Sequence, residues 1–121
     1  MSAHARLREA LGPLAEEGGV VAALVLTRDG LPVEMVGHGV RADVLAAEGG
    51  ALAEACRSAA ERLMLGNADE ITVRAPGYRL SCLLLGDYAL ALVLAGEEAA
   101  GALETARATV AALREALGEN G

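Results

Sequence analysis

The stretch VVAALVLTRDGLPVEMV, residues 20–36, sets the architecture. An unbroken apolar run over 20–26 meets a polar turn, Thr27-Arg28-Asp29-Gly30, and a second, more alternating run follows from Leu31 to Val36. Asp-Gly between two such runs signals a β-hairpin, because Gly30 can take the positive φ that the turn demands. Pro32 has no backbone N–H, so it belongs at the start of a strand on a sheet edge. The first run is apolar at both parities, with Val21, Ala23 and Val25 on one side and Ala22, Leu24 and Leu26 on the other. A strand of that kind is covered on both faces, which predicts a central strand with helices above and below.

On the N-terminal side, residues 3–16 predict a first helix, with Leu7, Leu11 and Leu14 on one face. Gly12-Pro13 predicts a kink or break inside it, since proline removes a backbone hydrogen bond. Beyond the hairpin, residues 41–65 form the longest helical pattern. Leu45, Gly49, Leu52, Cys56, Ala59 and Leu63 fall on the face expected to meet the sheet. Glu54, Arg57, Ser58 and Glu61 lie on the opposite ridge, and Ala46, Ala53, Ala60 and Met64 form a flank between the two. The pair Gly49-Gly50 costs roughly 1 kcal/mol per glycine relative to alanine, so a close backbone neighbour is expected there.

Three short runs follow. Residues 68–75 alternate, with Ile71 and Val73 against Glu70, Thr72 and Arg74, so this strand either has one wet face or lies near an edge. Residues 78–85 and 88–94, joined by Gly86-Asp87, are apolar at both parities, as buried strands are. A final helix is expected over 97–117 with Leu103, Ala106, Val110, Leu113 and Leu117 inward, stopped by Gly118 before a short tail. The order helix-strand-strand-helix-strand-strand-strand-helix predicts an α+β three-layer sandwich: a five-stranded antiparallel sheet with the middle helix on one face and the terminal helices on the other. Residues 1–121 are expected to form one domain.

Composition narrows the function. The net charge is −7, all ten basic residues are Arg, and neither Phe nor Trp occurs. An acidic chain without a basic patch speaks against nucleic acid and against an anionic membrane surface. No apolar run approaches the ~20 residues needed to span a bilayer. The N-terminus shows no signal-peptide pattern, and the expected location is the cytoplasm. Phosphate-loop, zinc-site and G-x-S-x-G patterns are missing. His4 and His38 lack clustered partners for a metal, and Ser58 and Ser81 lack a neighbouring histidine. Cys56 and Cys82 read as small buried hydrophobes. No catalytic residue, cofactor or metal is expected, and the protein is read as not an enzyme.

With this layout, the chain resembles the Roadblock dynein light chain family. The resemblance covers essentially the whole chain and is carried by Leu26-Thr27-Arg28-Asp29-Gly30-Leu31-Pro32-Val33, the Ala-rich middle helix, and the late strand over 88–94 followed by a closing helix. It implies a profilin-like fold and a homodimer that extends the sheet across a two-fold axis with the middle helices side by side. It also implies a non-catalytic role: dynein-associated subunit, scaffold for small GTPases, or bacterial regulator of a Ras-like GTPase. The dimer interface expected on this basis comprises Ala46, Gly49, Gly50, Ala53, Ala60, Met64, Ile71 and Val73, although the same alanines would also suit packing on the protomer's own strands. The expected partner surface is the ridge of Glu54, Arg57, Ser58 and Glu61, which otherwise reads as a solvated helix face. The alternatives are a profilin-like small-molecule sensor and a purely structural dimer.

Overall fold

The computed structural model describes residues 2–118. Met1 and residues 119–121, where the tail is expected, lie outside them. The elements in chain order are α1 (Ala3–Ala10), α2 (Gly12–Glu16), β1 (Val20–Thr27), β2 (Pro32–Gly37), α3 (Ala42–Arg62), β3 (Glu70–Ala75), β4 (Tyr78–Leu85), β5 (Tyr88–Ala95) and α4 (Ala99–Ala116). The break expected at Gly12-Pro13 falls at Leu11. Pro13 then sits in the first turn of α2, where a missing N–H removes no helical bond.

The five strands form one sheet in the order β2-β1-β5-β4-β3, and every neighbouring pair is antiparallel. β2 is an edge strand opened by Pro32, which pairs with Leu26 just past a bulge between Val25 and Leu26. Gly30 takes φ +86° in the hairpin turn, as its place after Asp29 requires. The Thr27 hydroxyl braces that turn, accepting from Leu31 N–H at 3.0 Å and donating to Asp29 Oδ1 at 2.6 Å.

Strand alternation sorts the core into two layers. Ala23, Val25, Leu83, Leu85, Leu90, Leu92 and Leu94 meet Leu7, Leu11, Leu14 and the α4 stripe of Leu103, Ala106 and Leu113. On the other face Ala22, Leu24, Leu26, Cys82, Leu84, Ala89 and Ala91 meet α3. The buried Ser81 hydroxyl is matched across the ladder by that of Thr72 at 2.8 Å, so its burial leaves no unpaired group.

The azimuth of α3 differs from the sequence reading. Its buried residues are Leu45, Ala46, Gly49, Gly50, Ala53 and Ala60; Leu52 and Cys56 are half-buried, Ala59 is exposed, and Leu63 is 68% exposed. At about 100° per residue the inward direction is rotated by about 60° from the leucine-centred face. The cause is the glycine pair. A Cβ at Gly50 would lie 3.0 Å from Gly30 Cα, and one at Gly49 would lie 3.1 Å from Ala91 Cβ. The helix therefore seats its smallest side onto the sheet and the β1–β2 turn, and Leu52 and Leu63 tilt outward.

Candidate functional site

Two surfaces of α3 emerge from that rotation, one apolar and one charged. The apolar flank faces β3, where the Cys56 thiol lies 3.8 Å from the Glu70 carbonyl oxygen. Leu52, Ala59 and Leu63 lie along it, and Leu63, Met64 and Leu65 are 68%, 90% and 73% exposed. Met64 closes the helix in the left-handed region, at φ +58°. Beside this flank runs β3, which pairs with β4 and is otherwise a sheet edge. Its Val73 is 43% exposed and continues an apolar row through Leu80 and Val93.

The charged surface lies where α3 overhangs the two hairpin turns, and Met64 borders it as well. Arg28 on the β1–β2 turn donates its backbone N–H to the Asp87 carbonyl at 2.9 Å, which ties that turn to the β4–β5 turn. Arg57 reaches over from α3, and its Nη2 donates to the Gly86 carbonyl at 2.9 Å. Arg114 of α4 approaches the Leu84 carbonyl at 3.5 Å. Together with Glu61, Met64, Asp69 and Asp87 these arginines line an open cleft of about 810 Å³. Glu54 stands beside Arg28 and Arg57, at 3.4 and 3.5 Å from their nitrogens. The lining has guanidinium and carboxylate groups for binding, and no Cys, His, Ser or Thr that could act as a nucleophile.

Among the residues expected at a partner surface, Glu54 and Glu61 are exposed and Ser58 is half-buried. The Arg57 side chain is only 16% exposed and belongs to the cleft more than to the ridge. Of those expected at a dimer interface, Ala46, Gly49, Gly50 and Ala53 are enclosed by the protomer's own sheet, and Ala60 is nearly so. Ala46 and Ala53 pack on the chain's own strands. Met64 and Val73 are exposed, and Ile71 is half-buried. Sequence spacing does not reveal Arg28, Asp87 and Arg114, because three different elements bring them to the cleft.

The electrostatics elsewhere are structural. Arg107 of α4 grips Glu70 of β3 through two bonds of 2.7 and 2.8 Å and also pairs with Glu104. The guanidinium holds the Glu70 carboxyl below the ordinary carboxylate range against the opposing effect of burial. On the other edge, burial raises the Glu34 pKa, but Arg8 and His4, at 3.0 and 3.1 Å, outweigh it and the net shift is downward. Burial, with Cys56 nearby, pushes the Cys82 thiol up to about 11. Among the described residues no three His, Cys, Asp or Glu side chains come together as a metal site, and no helix is long and apolar enough to cross a membrane.

The profile of the Roadblock/LC7 domain matches residues 7–95, which takes in the hairpin, α3 and all five strands. The chain belongs to the Roadblock/LC7 family. Among solved structures, a Roadblock/LC7 domain from Streptomyces avermitilis is 26% identical, with a TM-score of 0.77 over 88% of this chain and 92% of that one. The gliding protein MglB of Thermus thermophilus is 20% identical and superposes with a TM-score of 0.86 over 99% and 94% of the two chains, a likeness of fold. MglC of Myxococcus xanthus is 25% identical, with a TM-score of 0.63 over 91% and 98%. No curated protein matches the chain in sequence. The Roadblock/LC7 family to which the chain belongs is a family of regulatory and adaptor domains.

Proposed function

We propose that this Roadblock/LC7 protein is a cytoplasmic homodimer that binds a Ras-like small GTPase without contributing a catalytic residue. The family match over residues 7–95 carries the reading. The solved relatives include a gliding protein, MglB, and an MglB with a tetrameric arrangement. The surface chemistry supports a division of labour between the two flanks of α3. The apolar flank (Leu52, Ala59, Leu63, Met64) and the β3 edge with Ile71 and Val73 suit a second copy, because strand addition satisfies edge N–H and C=O groups and buries the exposed leucines together. The charged ridge of Glu54, Ser58 and Glu61, with Arg57 at its base, is left for the GTPase. A dimer presents that ridge twice.

The test uses a Ras-like GTPase encoded in the same genome, loaded with GDP or with a non-hydrolysable GTP analogue. Binding is expected for one nucleotide state over the other. Replacing both Glu54 and Glu61 by Arg is expected to weaken binding at least tenfold, or about 1.4 kcal/mol. Both side chains are exposed, so the double variant should fold normally. Affinity unchanged by the double reversal removes the ridge from the contact, and no binding in either nucleotide state removes the GTPase.

A further inference from the structure

We propose that the cleft under the C-terminal half of α3 is an oxyanion site, with Arg57 as its base and Arg28 and Arg114 at its mouth, built to receive an acidic side chain of a bound polypeptide. The observation behind it is an unmatched donor. Arg57 Nη2 is anchored on the Gly86 carbonyl at 2.9 Å, which fixes the guanidinium plane. Arg57 Nη1 is fully enclosed and has no hydrogen-bond acceptor among the described residues, so an incoming oxygen reaches it only where the exposed Glu54 side chain swings aside. The nearest carboxylate oxygen, Glu54 Oε2, is 3.5 Å away, well beyond the 2.7–2.9 Å typical of charge-assisted bonds. A buried polar group without a partner is costly, and native structures seldom keep one without a use.

The neighbouring arginines are also incompletely matched. Arg28 Nε meets only that same Glu54 oxygen, at 3.4 Å, and Arg114 Nη2 touches a backbone carbonyl at 3.5 Å. None of the three holds a carboxylate in the two-bond arrangement that Arg107 makes with Glu70. Arg28 and Arg114 therefore line the cleft with donors to spare, beside the enclosed guanidinium of Arg57.

The shared chemistry is an oxygen anion, which could come from an acidic side chain or from a phosphate. Glu61, Asp69 and Asp87 line the same cleft, and their charges oppose a dianion more than a monoanion. They also offer acceptors to the peptide N–H groups or basic neighbours that accompany an acidic residue in a polypeptide. The lining thus favours a single carboxylate on a chain over a phosphate.

The experiment needs only the protein itself, so it can fail separately from the GTPase reading. Arginine side-chain and backbone amide resonances of the ¹⁵N-labelled protein are followed at constant ionic strength. The probes are the capped tripeptide acetyl-Gly-Glu-Gly-amide in one arm and inorganic phosphate in the other, each against sodium chloride. A saturable shift of the Arg57 Nε–H and of the Gly86 and Asp87 amides is expected with the tripeptide. The amide response should vanish in Arg57→Gln and survive in Arg41→Gln, whose guanidinium pairs with Asp43 at 2.7 Å outside the cleft. If Arg57→Gln does not fold, the double variant Arg28→Gln, Arg114→Gln takes its place and is expected to weaken binding severalfold. Saturation by phosphate alone would overturn the assignment to a polypeptide carboxylate. No response beyond that of chloride in either arm would overturn the site itself.

Discussion

At Gly37 a Cβ would lie 2.2 Å from the Val21 carbonyl oxygen, and the residue holds φ +94°. Both constraints are set by backbone, which cannot move aside as a side-chain tip can. Gly37→Ala is therefore expected to destabilise by about 3 kcal/mol or more, among the larger effects of a single substitution. Gly50→Ala is a closer contest: the helix gains about 1 kcal/mol in propensity, while overpacking against Gly30 costs about 1–3 kcal/mol. Its contact at 3.0 Å is again with backbone, so the net effect should be destabilising by about 1 kcal/mol. Gly12→Ala has nothing within 4 Å and should lie within about 0.5 kcal/mol of wild type. Urea midpoints for the three variants would check the ranking, and a Gly50→Ala midpoint above wild type would refute the close seating of α3. A second expectation for a single side chain concerns Cys82, whose folded pKa is raised from 9.0 to about 11. The unfolded chain releases this proton first, so its contribution to stability is intact below pH 9 and is lost as pH rises towards 11. Cys82→Ala should flatten the alkaline fall in urea midpoint between those values. An unchanged slope would mean that other groups produce the fall.

Among the helices and strands, most of the architecture was legible in the chain. Asp29-Gly30 marked the hairpin, Pro32 the edge strand and Gly12-Pro13 the helix break, because each acts through its own backbone. Runs apolar at both parities marked β1, β4 and β5 as strands covered on two sides. The face of α3 was not legible. A helical wheel weights Leu52 and Leu63 over alanine and glycine, whereas the distance of closest approach is set by whichever side is smallest. Only the fold shows that the backbone neighbour of Gly50 is Gly30. The Glu70–Arg107 clasp joins β3 to α4 and was equally hidden, as its partners are 37 residues apart. Its Glu70 side is mostly buried and its Arg107 side nearly half exposed, so Glu70→Gln should cost no more than about 1 kcal/mol at neutral pH. The Glu70 pKa is lowered on folding, so the stabilisation is present above the ordinary carboxylate range and is lost as pH falls through the folded value. The difference between Glu70→Gln and wild type should shrink accordingly in acid, and thermal melts at pH 7 and pH 3 would reveal it. A difference independent of pH would mean that the clasp acts through packing and not charge.

In the assembled protomer, the candidate surfaces exist only because topology brings their parts together. The cleft draws on both hairpin turns, α3 and α4, and the apolar flank needs β3 placed at a sheet edge beside the end of α3. Their disposition leads to a test of self-association with an internal control. If Leu63 and Val73 meet a second copy, Leu63→Glu with Val73→Arg should give a monomer by light scattering at tens of micromolar while the far-ultraviolet circular dichroism stays that of wild type. Leu63 is mostly exposed and Val73 nearly half exposed, so the substitutions bury no charge in the isolated chain. Ala53→Arg should behave differently. Ala53 is only 1% exposed on the sheet-facing side of α3, and burying a guanidinium there is costly, so the expected loss is of the fold itself. A dissociated but folded Ala53→Arg variant would put the alanine side of α3 at the interface and contradict the seating described above. A wild type that is monomeric at these concentrations would leave the leucine flank without a second copy to meet.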